Sequence, residues 1–264
     1  MTADGISAGN PSARHALVTG GGRGIGAAVA AALIAAGHRV TVCGRERAAL
    51  DATARLHLSS GRCRAVVMDV GDRASVDRAM AEARAGFGPI EILVNNAGQA
   101  ESAPFQKTTA ELFERMLAVN LGGVFHCTQA ALPDMLAAHW GRVINIASTA
   151  GLVGYAYVSA YCAAKHGVVG LTRALALEFA AKGITVNAVC PGYTDTDIVA
   201  KAVANIVAKT GRSEAEARAE LAKGNPMQRL VTPQEVADTV LWLCGEGVAS
   251  INGQSIAVAG GEVM

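Results

Sequence analysis

The chain has 264 residues, of which 51% are apolar and 17% are charged. Such a composition can bury a large core and excludes a disordered chain, so we expect a single domain over residues 1–264. The formal net charge is +1 with no long run of one sign, which argues against a surface for nucleic acid or for an anionic membrane.

Nothing in the sequence predicts export or membrane insertion. The longest apolar run, Ala27 to Ala36, is much shorter than the ~20 residues that span a bilayer, and the opening residues lack an apolar signal core. The six cysteines form no CxxC pair, and most lie in apolar patterns typical of buried thiols. We therefore expect a soluble, cytoplasmic protein in a reducing compartment.

Apolar strands alternate with helices along the chain. After a leader, HALVTG predicts a buried strand, and a helix follows from about Ile25 to Ala36. RVTVCG, RAVVMDV and EILVNNAG predict further strands, each followed by a helix. RVINIAS, ITVNAVCPG and SIAVAGG complete the series, with a long helix from about Val158 to Ala180. This order predicts an α/β fold, a single Rossmann-like doubly wound parallel sheet with helices on both faces.

A glycine-rich turn joins the first strand to the first helix. Gly20, Gly22, Gly24 and Gly26 occupy the position at which a dinucleotide-binding turn is expected. Glycine lets the backbone approach a pyrophosphate, and the N–H groups at the helix N-terminus can bind it. The spacing alone is only suggestive, because such a turn can also serve simply to pack a helix against a strand.

The end of the second strand bears on the choice of cofactor. An acidic residue at the end of this strand would select NAD(H). This sequence has Cys43, Gly44 and Arg45 there, and the first carboxylate after the strand is that of Glu46. Arg45 and Arg23 together could bind the 2′-phosphate of NADP(H). We therefore favour NADP(H), while NAD(H) stays possible if the arginines are merely surface charges.

Tyr161 and Lys165 are one helical turn apart, and the strand before their helix ends close to Ser148. A phenol can exchange a proton with an alcohol or carbonyl oxygen if a nearby cation lowers its pKa. We expect Lys165 to supply that cation. Tyr and Lys at this spacing also occur together on solvated helix faces, so the pair needs support from other motifs.

Two other motifs provide that support: TGxxxGxG after the first strand and NNAG ending at Gly98. Both occur in this chain together with YxxxK. The chain resembles the short-chain dehydrogenase/reductase family over nearly its whole length. The resemblance implies catalytic roles for Asn120, Ser148, Tyr161 and Lys165, with Asn120 supporting a water, Ser148 binding the substrate oxygen and Lys165 also holding the nicotinamide ribose. It implies cofactor contacts at Gly20, Gly22, Arg23, Gly24, Ile25, Gly26, Arg45, Asp69, Val70, Asn96, Ala97, Gly98, Tyr161, Lys165, Pro191, Gly192, Thr194 and Thr196.

For the substrate we expect contacts from Ser148, Tyr155, Tyr157 and Tyr193, although plain packing is an equal alternative for Tyr155 and Tyr157. The sequence looks most like bacterial 3-oxoacyl and polyketide ketoreductases and hydroxyacyl dehydrogenases, which places a keto-acyl thioester first. The histidines lack metal-ligand spacing, so no catalytic metal is implied. Alternatives are an NAD-linked catabolic dehydrogenase of secondary alcohols or hydroxyacyl compounds, and a non-catalytic dinucleotide sensor or scaffold.

Two further predictions concern a lid over the substrate and the oligomeric state. The polar, Ala-rich segment 195–224 follows a strand's carboxyl end, so we expect a helical lid over the substrate, with a permanently docked insertion as the alternative. The helices over residues 113–136 and 158–179 carry apolar residues on more than one face. We expect them to pair in a symmetric homo-oligomer, which the family resemblance implies is a tetramer with a second contact at SIAVAGG.

Overall fold

Seven short apolar strands form one parallel sheet. The structure, a computed structural model, describes residues 13–264, so the predicted leader lies almost wholly outside the described residues. The strands are β1 His15–Thr19, β2 Arg39–Gly44, β3 Cys63–Val67, β4 Ile92–Asn95, β5 Gly141–Ile146, β6 Ile184–Pro191 and β7 Ser255–Val258. Their order is β3-β2-β1-β4-β5-β6-β7, and every pair is parallel. The predicted doubly wound α/β fold is confirmed.

Helices cover both faces of this sheet. They are α1 Gly24–Ala35, α2 Arg47–Leu56, α3 Arg73–Phe87, α4 Ala110–Leu117, α5 Gly123–Ala138, α6 Ser159–Phe179, α7 Asp197–Thr210, α8 Glu214–Ala222 and α9 Pro233–Leu243. Successive residues of β1 enter different cores, because side chains alternate across a strand. Val18 packs with residues of α1 and α9, whereas Leu17 packs with residues of α3 and α5. Across residues 13–264, no helix is both long and apolar enough to cross a bilayer.

The strand order reverses beside β1, whose neighbours are β2 and β4. In open α/β sheets, ligands bind at the carboxyl ends of the strands at this reversal. The glycine turn follows β1, the Asn96–Gly98 loop follows β4, and Ser148 lies just beyond β5. The fold therefore gathers segments that are far apart in sequence at one edge of the sheet.

The segment between α4 and α5 differs from a simple pair of helices. One π-helical turn, Ala118–Gly122, links them without a loop and places Asn120 in the interior. A π-turn adds a residue to the helical repeat and shifts the side chains that follow it, and such turns are frequent at functional sites. Asn120 thus points toward the loop after β4 rather than toward solvent.

Candidate active site

Two adjoining pockets lie at the carboxyl edge of the sheet, with volumes of about 190 and 350 Å³. The smaller one is lined by all four predicted catalytic residues. The larger one runs along the glycine turn toward the end of β2. Ile25, Asn96, Gly98 and Thr196 line both, so the two pockets form one cleft.

Helix α6 carries Tyr161 and Lys165 into the smaller pocket from its first two turns. Lys165 is buried, and its Nζ donates a hydrogen bond to the carbonyl oxygen of Ile146 at 2.7 Å. This Nζ lies 5.6 Å from the centroid of the Tyr161 ring. Ser148 begins the turn after β5, where its Oγ accepts a hydrogen bond from the N–H of Ala150 at 3.1 Å. The structure therefore brings these predicted side chains together in one pocket.

Burial controls the proton affinities of this group. Desolvation raises the pKa of Tyr161 to about 12, although a hydrogen bond with Ser148 acts in the opposite direction. The same desolvation lowers the pKa of Lys165 to about 8. The net pKa of Tyr161 thus rises instead of falling toward neutrality, because loss of solvent outweighs the hydrogen bond with Ser148, and the expected effect of Lys165 on the phenol stays a prediction. At neutral pH, Tyr161 is a protonated donor and Lys165 is a cation that can release its proton easily.

The side-chain amide of Asn120 has a full set of partners. Its Oδ1 accepts from the N–H of Gln99 at 3.1 Å, and its Nδ2 donates to the carbonyl oxygens of Gln99 and Met116 at 3.0 and 2.9 Å. A Cβ added at Gly98 would lie 2.8 Å from Oδ1 of Asn120 and 3.8 Å from Nζ of Lys165. Asn120 thus fixes the loop after β4 against α4, close to Lys165. The water-supporting role implied by resemblance stays a prediction.

The glycine turn is held by residues of the β4 loop. Nδ2 of Asn96 donates to the carbonyl oxygens of Thr19 and Gly20 at 2.9 and 3.2 Å. Oγ1 of Thr19 accepts from the N–H groups of Asn96 and Ala97 at 2.9 and 2.8 Å. Sequence reasoning missed this role of Thr19, whose signals were its place at the end of β1 and at the start of the TGxxxGxG motif. Gly26 turns inward, since a Cβ there would lie 2.2 Å from the oxygen of Gly20.

The residues of the turn fit a pyrophosphate. Gly20 and Gly24 have φ values of +65° and +51°, which side chains other than glycine rarely adopt. Within the described part of the chain, no side chain caps the N-terminus of α1, which opens onto the larger pocket. Free N–H groups and the helix dipole at such an end favour an anion.

Charged side chains surround the far end of the larger pocket. Arg23 pairs with Glu46 and, at 3.2 Å, with Asp197 at the start of α7. Arg45 is exposed beside them, and among residues 13–264 it has no carboxylate partner. Lys201 of α7 also lines this end, and the sequence alone did not single it out. A free and a paired arginine thus lie at the end of β2.

Most of the other predicted site residues line one of the two pockets, but Tyr157 does not. Asp69, Val70 and Ala97 line the larger pocket, as do Gly22 and Gly24. The smaller pocket is lined by Pro191, Gly192, Thr194 and Thr196, and by Tyr155 and Tyr193 of the predicted substrate residues. Tyr157 is not brought into either pocket: it is 66% exposed and has a φ of +68°. No cluster of possible metal ligands occurs in the part of the chain that the structure describes.

The proposed lid segment contributes directly to the smaller pocket. Ile198 and Val199 of α7 line it, while Val203 packs with Ala217 of α8 in a small separate core. Asp195 pairs with Arg218, which ties the start of the segment to α8. The segment thus forms a hairpin of two helices beside the pocket, and its role as a substrate lid stays a prediction.

Known proteins are similar to this chain over most of its length. A family model described as short chain dehydrogenase matches residues 14–206. The chain belongs to the short-chain dehydrogenase family. A D-beta-hydroxybutyrate dehydrogenase of Rhizobium meliloti (strain 1021) is 38% identical over 254 residues, covering 94% of this chain and 98% of that protein. An acetoacetyl-CoA reductase of the same organism is 39% identical over 249 residues, covering 94% and 98%.

Solved structures lead to the same family. A crystal structure of an actinorhodin polyketide ketoreductase variant with NADPH has a TM-score of 0.91 and 38% identity, covering 95% of this chain and 97% of that one. The family assignment, the Rossmann-like fold and the predicted class of activity, oxidoreduction between a ketone and a secondary alcohol, are thereby confirmed.

Proposed function

We propose that this short-chain dehydrogenase reduces the ketone of a keto-acyl thioester or polyketide-like substrate to a secondary alcohol, with NADPH as the reductant. The convergence of Tyr161, Lys165 and Ser148 in a pocket that adjoins the glycine turn carries this proposal. Relatives named acetoacetyl-CoA reductase and polyketide ketoreductase, the latter solved with NADPH, support it.

The chain's own residues fit the nicotinamide cofactor. The N–H groups at the start of α1 would hold the pyrophosphate, and Arg45 would hold the 2′-phosphate, with Arg23 able to join if it leaves Glu46. When bound, the cofactor supplies the hydride for the carbonyl carbon. Lys165 and the loop after β6 would face its nicotinamide end, because both line the smaller pocket.

Proton supply follows from the geometry and the pKa values. Ser148 orients the carbonyl oxygen by a hydrogen bond, and Tyr161 donates its phenolic proton to that oxygen as negative charge develops. A pKa of about 12 keeps Tyr161 protonated at neutral pH, which suits a donor better than a base. Lys165, with a pKa of about 8, can then return a proton to the phenol.

A second candidate is the NAD-linked oxidation of a hydroxy acid. The relative named D-beta-hydroxybutyrate dehydrogenase favours it, and so does Glu46, a carboxylate beside the predicted cofactor-specificity position. The non-catalytic sensor is disfavoured, since a binding module has no need of a tyrosine, a buried lysine and a serine together in one pocket.

A screen of initial rates separates these candidates. Purified protein is tested with NADPH and NADH against an acetoacetyl thioester, a keto ester and a cyclic ketone, and with NADP and NAD against 3-hydroxybutyrate. We expect the fastest turnover with NADPH and the thioester. Turnover confined to NAD and the hydroxy acid would establish the second candidate, and no turnover of any pair would support the sensor.

A further inference from the structure

The carboxylate of Glu262, close to the end of the chain, lies directly behind the wall of the substrate pocket. Its Oε1 accepts a hydrogen bond from the hydroxyl of Tyr155 at 2.5 Å. A Cβ added at Gly192 would lie 2.8 Å from its Oε2, and one at Gly224 would lie 3.4 Å from its Oε1. Tyr155 and Gly192 both line the pocket. Glu262 therefore meets the loop after β5, the loop after β6 and the end of α8 at one point.

The segment that carries Glu262 is closely packed. The N–H of Glu262 donates to the carbonyl oxygen of Ala259 at 3.1 Å. A Cβ at Gly260 would lie 2.1 Å from Oδ1 of Asn225, and one at Gly261 would lie 3.4 Å from Pro226. Glycine at both positions lets the chain after β7 lie against the residues that follow α8. The carboxylate is thus held by a defined backbone.

Glu262 also holds Tyr155, an aromatic residue of the pocket wall, in place. The Tyr155 hydroxyl has one proton and gives it to Glu262, so the Thr149 hydroxyl, 2.9 Å away, donates to Tyr155 in turn. Burial and the hydrogen bond to Glu262 raise the pKa of Tyr155, which keeps its hydroxyl a donor. The Tyr155 ring meets Tyr193 edge to face, with centroids 6.4 Å apart. The carboxylate therefore holds the Tyr155 ring directly, and Tyr193 packs against that ring.

The carboxylate of Glu262 pairs with no basic side chain in the part of the chain that the structure describes. Of the pocket-lining residues, Lys165 alone is cationic. Lys165 is already committed to the proton supply of Tyr161. The remaining wall is apolar or neutral, with Val158, Ile198 and Val199 beside the two tyrosines. A carboxylate on the substrate that approached Tyr155 and Gly192 would therefore be repelled by the like charge of Glu262 behind them, across a partly desolvated wall where repulsion is stronger than in water.

We propose that Glu262 is a specificity-determining residue that excludes substrates with a free carboxylate near the reacting carbonyl, so that the enzyme takes a neutral acyl group such as an ester or a thioester. The inference rests on the proposed function and narrows its substrate class. Two properties of Glu262 act together: the hydrogen bond positions Tyr155, and the charge repels an anion.

The test compares acetoacetate with its methyl ester, two ketones that differ at the carboxyl group. With NADPH, we expect the wild-type kcat/KM for the ester to exceed that for the acid by about 100-fold or more. Glu262→Gln keeps an acceptor for Tyr155 but removes the charge, so it should raise kcat/KM for the acid about tenfold, the scale of one close charge contact, and change that for the ester less than about twofold. Tyr155→Phe removes the hydrogen bond without altering the charge, and should raise KM for the ester while the acid stays poor.

Glu82→Gln, an exposed charge change on α3, serves as the matched control and should leave the ester-to-acid ratio unchanged. Equal wild-type use of acid and ester, or the same change in both with Glu262→Gln, would overturn the inference while leaving the ketoreductase function intact. If no ketone is reduced, the proposed function fails instead. The dissociation constants of acid and ester, measured by calorimetry on wild type and Glu262→Gln, then still test the role of the charge.

Discussion

At the scale of single residues, Tyr161 has a distinct position among the four tyrosines. It shares the smaller pocket with Lys165 and Ser148, whereas Tyr157 is exposed and outside it. We expect Tyr161→Phe to lower kcat by about 100-fold or more, the usual scale for a positioned general acid, with NADPH affinity little changed. Steady-state kinetics and cofactor titration measure both. Tyr157→Phe is the matched control and should stay close to wild type, and retention of most activity in Tyr161→Phe would remove Tyr161 from its role.

Arg45 presents a second prediction at this scale, because it is the unpaired arginine at the adenosine end of the cleft within residues 13–264. We expect Arg45→Ala to weaken NADPH binding about tenfold or more through loss of a charge-assisted contact, and to change NADH binding less than about twofold. Fluorescence titration with each cofactor gives the two constants. Arg55→Ala, an exposed change at the end of α2, is the control. Equal losses for both cofactors would contradict a phosphate contact.

At the scale of elements, the start of α9 is stabilised by a capping box. Thr232 N–H donates to Glu235 at 2.8 Å, Oγ1 of Thr232 accepts from the N–H of Glu235 at 3.3 Å, and Arg229 pairs with the same carboxylate at 2.6 Å. The hydrogen bonds from Arg229 and Thr232 lower the pKa of Glu235 to about 2 from an ordinary value of 4.5. The stabilisation is thus present above about pH 4.5 and is lost as the pH falls toward about 2.

Glu235→Gln should therefore lower the free energy of unfolding at neutral pH by about 1 kcal/mol, less than the full pKa shift implies, because solvent screens this exposed pair. The difference from wild type should shrink as the pH falls below about 4.5. Urea unfolding at several pH values measures it, with Glu82→Gln as the control. If the difference in the free energy of unfolding between wild type and Glu235→Gln did not change with pH, the charge of Glu235 would not contribute to stability.

The hairpin of α7 and α8 is the element whose motion matters most for turnover. Its small core of Val199, Val203 and Ala217 is separate from the main core, and Gly211 between its helices has a φ of +70°. We expect amide exchange in residues 195–224 to slow when NADPH and an alcohol product bind together, because closure over the pocket protects the backbone. Mass spectrometry of exchange gives the result by segment. Unchanged exchange, with turnover surviving deletion of the segment, would support a permanently docked insertion.

At the scale of the whole molecule, apolar side chains remain exposed on the helices that cover one face of the sheet. Phe113 of α4, Phe125 of α5 and Leu177 of α6 are 42%, 48% and 85% exposed. Burial of such residues favours association. We expect light scattering at micromolar concentration to show a tetramer, and Phe125→Lys to shift it toward smaller species. A wild-type monomer at that concentration would contradict this prediction.

Local pattern was enough to predict much of this protein. The alternation of apolar strands and helices has fixed periods, so the seven strands and the helices on both faces could be predicted from residue order alone. The glycine turn and the spacing of Tyr161 and Lys165 each lie within a short stretch of chain, so local pattern was enough to find them. The class of reaction followed from the resemblance of these motifs, taken together, to the short-chain dehydrogenase/reductase family.

Tertiary structure decided what depends on residues far apart in sequence. Arg23 meets Asp197 across 174 positions, and Tyr155 meets Glu262 across 107, so no local pattern predicts either contact. The pKa of Tyr161 rises rather than falls because desolvation sums over every neighbour of the phenol. Tyr157, which has a φ of +68°, is exposed outside both pockets, and its place in the sequence did not predict this. Burial and long-range contact arise only when the chain is folded, and they govern the charge and shape of the substrate pocket.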